Sequence, residues 1–422
     1  MLIHTVKPGD TLAAIAASHD VPVYVIINLN SPPTEELVVG QTLVIRRPSQ
    51  VYTVRAGDSI ASIAAGQEED INLLLRNNPQ ILGRELYVGE TLVLHYDDEN
   101  QTGRELIVNA YAYPYTDRRL VEKALPYLTM LTIFTYGFSP SGDLISPADE
   151  ELISLTLSYA VRPIMLLSTL TADGSFSNEL AHILLNSPEL QDILIEKIIQ
   201  NMYNKGYYGL DIDFEYVPQE DKEAYAAFVE LLTMRLNEVG FLTLVALAPK
   251  TSSAQTGLLY EAHDYYALGR AANLALTMTY EWGYTYGPPM AVAPINKVEE
   301  VVRYAVTQIS PEKLLMGIPL YGYDWMLPYE KGNMARSISP QQAIEIAAAN
   351  GAAIEYDEVA RTPWFRYAND SHEVWFEDAR SIYAKLMLLE NYSLGGIGYW
   401  NLSRDFPQNW AVLNALFGIR RI

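Results

Sequence analysis

The 422-residue chain contains no cysteine. Disulfide frameworks, thiolate zinc sites and cysteine nucleophiles are therefore excluded, although compartment stays open, because cysteine-free chains occur on both sides of a membrane. Basic residues are also scarce: 29 Lys and Arg stand against 51 Asp and Glu, a formal net charge of −22. Such a chain lacks the basic footprint that nucleic acid or an anionic membrane surface requires, so neither is expected as a partner and a neutral or mixed-charge polymer is. No apolar run approaches a membrane span. The N-terminus, MLIHTVKPGDT, has no basic stretch followed by an apolar core, so no standard signal peptide is read there. The six histidines are scattered with no His-x-x-x-His pair, which gives a histidine zinc site no support; no metal and no cofactor are expected.

An apolar content of 49% with ordinary Gly and Pro indicates a folded globular chain. Its length suggests two or more domains, although one α/β barrel can take most of it. The first hundred or so residues repeat internally. HTVKPGDTLAAIAASHDVPVYVIINLN with LVVGQTLVI returns as YTVRAGDSIASIAAGQEEDINLLLRNN with LYVGETLVL. Each unit reads as a strand, a helix capped near Asp10-Thr11 or Asp58-Ser59, a second helix ending in Asn, and a returning strand after a Gly turn. Two βααβ modules are thus expected at 1–47 and 50–96. So small a unit has little room for a buried catalytic pocket, which makes binding its natural task and a purely structural repeat the other reading. The units resemble LysM domains, and the resemblance implies binding of glycans containing N-acetylglucosamine, such as peptidoglycan and chitin.

After an acidic link, HYDDENQTGRE, apolar strands alternate with helical stretches such as 187–205 and 220–239. The candidate strands are 106–112, 128–138, 162–168, 208–216, 242–249, 273–281, 314–323 and 395–401. Near-continuous apolar runs are what strands buried on both faces require. The fold class expected is α/β, a (β/α)8 TIM barrel over 105–422, with an open doubly wound sheet as the alternative. The gap before the last strand holds a helix started by Ser339-Pro340 and a hairpin turning at Asn369-Asp370. It reads as a small inserted subdomain at about 324–394.

The segment YGLDIDFEY places Asp211, Asp213 and Glu215 at every second position, on one face, with Leu210, Ile212 and Phe214 on the other. Near the carboxyl end of a barrel strand, polar side chains sit where active sites form. Three crowded carboxylates cannot all ionise readily, so at least one holds a proton near neutral pH, and a protonated acid is what a departing glycosidic oxygen needs. A solvated strand face, or a set of ligands for a hard cation, is the other reading of alternating acids.

YGLDIDFE resembles the DGxDxDxE signature of family 18 glycoside hydrolases, chitinase-like (β/α)8 barrels. The resemblance implies that Glu215 is the general acid, that Asp213 orients the substrate's 2-acetamido group and that Asp211 tunes Asp213. The signature's first Asp is Tyr208 here, which strand parity places on the face away from the acids. MTYEWG resembles the family's Met-x-Tyr-Asp stretch, implying a hydroxyl role for Tyr280, with Glu281 in the place of Asp and Met278 and Trp282 beside the substrate. GGIGYWN resembles the last strand and implies that Trp400 floors the sugar. The family's Ser-x-Gly-Gly at the third strand is missing from IMLLSTLTADG, which leaves that side of the cleft undefined. The resemblance implies a retaining, substrate-assisted β-N-acetylglucosaminidase. Two LysM-like modules placed first resemble the arrangement of bacterial spore-associated peptidoglycan hydrolases, so a spore coat, cortex or cell-wall setting is expected. A chitinase, a glycan-binding barrel without activity and a structural coat protein are the rivals.

Overall fold

The computed structural model describes residues 1–34 and 36–422. The first module is strand Leu2–Thr5, helices Leu12–His19 and Val23–Asn30, and strand Thr42–Ile45; the second is Pro48–Thr53, Ile60–Gln67, Ile71–Asn77 and Thr91–Tyr96. In each the outer strands pair antiparallel. The helix starts follow the hydroxyl residues: Thr11 accepts from the Ala14 N–H and Ser59 from the Ser62 N–H, satisfying donors that the first turn leaves free. The Asn that closes each second helix has a specific task. Asn30 exchanges two hydrogen bonds with the backbone of Val44 (2.8 and 2.7 Å), and Asn78 does the same with Val93 (2.6 and 2.7 Å). A buried carboxamide thus stands in for a strand edge and ties helix to sheet.

Eight parallel strands then close on themselves: Glu105–Ala112, Met130–Phe138, Arg162–Ser168, Gly209–Asp213, Leu242–Leu247, Leu274–Thr277, Leu314–Pro319 and Gly396–Trp400, the last pairing back onto the first. This is the TIM barrel. Its interior is packed by Ile107, Met130, Ile164, Leu166, Leu244, Leu276 and Leu315, while outward residues such as Leu210 and Ile212 join the large cluster beneath the helices. Among the described residues no single helix is long and apolar enough to cross a membrane.

Between the seventh and eighth barrel strands lies a five-stranded antiparallel sheet, Arg336–Ile338, Gly322–Met326, His372–Trp375, Thr362–Tyr367 and Glu355–Asp357 in spatial order. Helix Pro340–Asn350 covers it, capped by Ser339, around a separate core of Ile338, Ala343, Ile344, Phe365 and Val374. The hairpin turns through Ala368, Asn369 and Asp370, all with positive φ.

Three strand readings need correction. The expected strand 314–323 is two: the barrel strand ends at Pro319 and Gly322 begins the inserted sheet. Both sheets accept apolar residues, so a continuous apolar run does not mark the change of sheet. The expected strands 208–216 and 273–281 stop at Asp213 and Thr277, because their neighbours' ladders end there. Tyr208, which strand parity would turn outward, precedes the strand and packs against the interior cluster at the amino end, with the Arg162 guanidinium 4.9 Å above its ring.

Candidate active site

Strand Gly209–Asp213 runs between Arg162–Ser168 and Leu242–Leu247 and carries the first two acids inward. Gly209 is required by the neighbour, since a Cβ there would sit 2.8 Å from the Leu242 carbonyl oxygen. Past the strand end, Phe214 is buried in a stack with Tyr225 at 5.8 Å and Phe138 at 6.0 Å, which anchors the segment presenting Glu215. His263 secures it further. The Ala248 N–H can only donate, and it donates to Nδ1 (3.0 Å), so the ring proton lies on Nε2, facing the Phe214 carbonyl at 3.2 Å. Burial holds this imidazole neutral, pushing its pKa down to about 4. Tyr216, at φ 56, then turns the chain away.

The acids occupy a gradient of exposure. Asp211 is fully buried, while Asp213 and Glu215 are half-buried. The Tyr111 hydroxyl donates to Asp211 Oδ2 at 2.6 Å, whereas Asp211 Oδ1 and Asp213 Oδ1 are buried without a partner. Burial lifts Asp211 to about 6, with the Tyr111 bond pulling the other way. Asp213 is raised well above the usual carboxylate range by burial and then by the charges of Glu215 and Asp211. Glu215 is raised by burial and by the charge of Glu281. Protons are thus retained by groups that would lose them in water.

The other predicted residues divide into two groups. Tyr280 is buried beside the acids, with its phenol pKa raised by desolvation, and Gly317 leaves the room it occupies: a Cβ there would lie 2.8 Å from the tyrosine ring. Glu281 stands at the exposed rim with φ 67, its Oε1 accepting from the hydroxyls of Tyr321 and Tyr323. Trp400 ends the eighth strand within an aromatic group of Tyr111, Phe134 and Tyr113, at centroid distances of 5.5, 5.3 and 6.0 Å. Glu281 and Trp400 line a cavity of about 260 Å³ with Tyr113, Tyr321, Tyr323, Asn401 and Arg404. Tyr113 also borders a second, open cavity of about 680 Å³ with Tyr115, Phe134 and Phe176. The departure at the third strand is thus filled by a loop closed by a Leu170–Phe176 bridge. Met278 and Trp282 line neither of these cavities; both are half-buried beyond the strand end against the large outer cluster, and Met278 also packs on the interior cluster that Phe134 and Trp400 join.

Sequence reasoning missed Tyr111, Tyr113, Tyr321, Tyr323 and His263. The alternating tyrosines of NAYAYPY and PLYGY, at strand ends, were the available signal for the first four. Among the described residues no three acidic or imidazole side chains converge as a metal site would require.

Comparison with known proteins agrees with this geometry. The family described as Glycosyl hydrolases family 18 matches over residues 171–405, and LysM domain matches over 4–46 and 52–94. The chain is 41% identical over 430 residues to the cortical fragment-lytic enzyme of Bacillus subtilis (strain 168), covering 99% of each. It is similar to the crystal structure of the Bacillus megaterium QM B1551 spore cortex-lytic enzyme SleL, with a TM-score of 0.84 and 38% identity over 100% of this chain and 99% of that one. A chitinase from Chromobacterium violaceum ATCC 12472 matches 74% of this chain and 99% of its own, with a TM-score of 0.68 and 26% identity. The chain belongs to glycoside hydrolase family 18 and carries two LysM domains ahead of its barrel.

Proposed function

We propose that this glycoside hydrolase cleaves the β-1,4 bond after N-acetylglucosamine in bacterial peptidoglycan of the spore cortex, with Glu215 as the general acid. The observation that carries this reading is the inward stack of Asp211, Asp213 and Glu215, with proton affinity raised by burial and mutual charge. The proton on Glu215 passes to the glycosidic oxygen as the substrate's acetamido oxygen attacks the anomeric carbon. The bond to the leaving sugar breaks and an oxazolinium ion forms. Asp213 and Tyr280 hold the acetamido group and meet its developing positive charge, which is preorganised electrostatic stabilisation. Water then gives a proton to the ionised Glu215 and its oxygen to the anomeric carbon, so configuration is retained. Asp211 raises the proton affinity of Asp213 through its charge, and Trp400 supports the sugar's C–H face.

The cortex-lytic names of the similar proteins support the substrate and a wall- or cortex-associated setting. The LysM domains add a holding function: a groove of about 980 Å³ runs along the second, lined by Ser59, Ile71, Leu82 and Arg84 and walled by the barrel's Tyr159. Binding through these modules raises local glycan concentration without altering the chemistry. A chitinase is the second reading, supported by the 26% identical chitinase fold.

Glu215→Gln keeps shape and removes the proton donor. Hydrolysis should fall about a thousandfold while binding to insoluble peptidoglycan persists. Mass spectrometry of wild-type products should show N-acetylglucosamine at the new reducing ends. Muramyl reducing ends, or turnover confined to chitin oligomers, would overturn the assignment.

A further inference from the structure

The two repeats are alike in sequence but unlike in surroundings. In the second, Leu75 is 7% exposed, within the apolar cluster that the barrel's Tyr159 joins, whereas its counterpart Ile27 in the first is 41% exposed. Tyr159 is half-buried and packs also on the large outer cluster of the barrel. It caps helix Glu150–Ser158, and Ala160, at φ 56, turns the chain behind it. The Asn72 carboxamide of the module donates to the Tyr159 carbonyl at 3.3 Å, which ties the two bodies at this point. Between them runs the groove of about 980 Å³: Ile60, Ile71 and Leu86 give it an apolar side, Arg84 and Glu85 a polar one, and Tyr159 the barrel's wall. A sugar ring, apolar on its C–H faces and polar at its edges, matches such a lining.

The place of this groove in the fold is equally informative. Tyr159 leads through Ala160 and Val161 into Arg162, the amino end of the third barrel strand, whereas Glu215 follows the carboxyl end of the fourth. The two strands run parallel, paired from Ile164 with Gly209 to Ser168 with Asp213. The length of the third strand alone sets the two levels roughly 20 Å apart, and the barrel interior between them is packed. Arg76 holds the module at the same end, through the Pro126 carbonyl shortly before the second strand.

We propose that the second LysM domain and the barrel together form one glycan site, with Tyr159 as the aromatic face for a sugar ring, and that the strand held there is a neighbour of the strand cut at Glu215. The inference rests on the holding function proposed above. A strand lying in the groove has to wrap around the barrel to reach the cleft as well, whereas in a cross-linked wall an adjacent strand fills the groove directly. The anchor thus works in trans, raising the local concentration of wall without competing for the cleft.

The test compares three substrates within one preparation, which cancels differences in folded fraction: insoluble peptidoglycan, dilute soluble glycan strands freed of cross-links, and short oligosaccharides released from them. Tyr159→Leu keeps apolar bulk and removes the ring. It should lower the ratio of turnover on insoluble wall to turnover on oligosaccharides about fivefold, while Tyr159→Phe stays within about twofold of wild type. Ile71→Ser, on the module's side of the groove and already 41% exposed, should lower that ratio as well. The ratio of soluble strands to oligosaccharides should hold in all three variants. A loss on soluble strands as large as on the wall would put groove and cleft on one strand and overturn the inference. A loss confined to Tyr159→Leu, with Ile71→Ser behaving as wild type, would mean that Tyr159 only packs the module against the barrel, and would overturn it too. If the full chain carrying Glu215→Gln fails to bind insoluble peptidoglycan at all, the holding function falls and this inference with it.

Discussion

Asp211 shows how a residue of the proposed active site works against the fold that holds it. It is fully buried, keeps one oxygen without a partner and titrates near 6 instead of 3.8. Between those values the unfolded chain has released the proton and the native protein has not, so stability falls as pH rises. Above about 6 the full difference, about 3 kcal/mol, is lost. Asp211→Asn removes the titration while leaving the Tyr111 hydroxyl an acceptor. The variant should gain up to about 3 kcal/mol over wild type in urea unfolding at pH 7.5, gain almost nothing at pH 4, and lose activity. A gain equal at both pH values would refute the assigned burial cost. The acids themselves were legible in the sequence because period two puts odd-numbered residues on one face. Tyr111 was not, because its bond to Asp211 depends on how strands a hundred residues apart come together around a closed barrel. His263 was hidden for the same reason: its partners are backbone groups of Ala248 and Phe214.

At the scale of elements, the sequence disclosed existence better than extent. The helix capped by Ser339 and the two βααβ repeats follow from local chemistry, and the structure contains both. Strand ends depend on neighbours: Met278 to Glu281 read as strand by composition, yet no ladder partner continues beyond Thr277. The resulting loop lets Tyr280 face the acids while Glu281 reaches the rim. The module asparagines show local and tertiary demands agreeing. Asn78 bonds the Val93 backbone twice and the Leu74 carbonyl once, so Asn78→Ala strands a buried N–H and two carbonyls. A cost of about 2–4 kcal/mol is expected, concentrated in the second module. Hydrogen exchange should quicken in Pro48–Thr53 and Thr91–Tyr96 and remain slow in the barrel strands; acceleration spread evenly over the chain would contradict a local tie.

For the whole molecule, the question is whether modules and barrel behave as separate beads or as one body. The acidic link between them suggests a tether, but the contacts indicate docking. Gln408 of the barrel donates to the Thr42 carbonyl at 2.5 Å and to Asn30 Oδ1 at 3.1 Å, thereby touching the same asparagine that ties the first module together. Ile354 of the inserted subdomain donates to Val39 at 2.8 Å. The second module is held through Arg76, which reaches Asn414 and the Pro126 carbonyl, both at 3.1 Å. Val25, Leu29, Val44 and Val93 belong to the same apolar cluster as the barrel's outer residues, so separating the modules would expose that surface. Unfolding should then be cooperative across the chain. Scanning calorimetry is expected to show a single transition, and Gln408→Ala, which takes a partner from the Thr42 hydroxyl and carbonyl and from the Ala379 N–H, should lower that common midpoint by roughly 2 °C. Two resolved transitions, with only the smaller displaced by Gln408→Ala, would mean that the LysM domains swing freely. On the function proposed above, docked modules instead hold the glycan at a fixed distance from the cleft, which limits the bonds presented to Glu215.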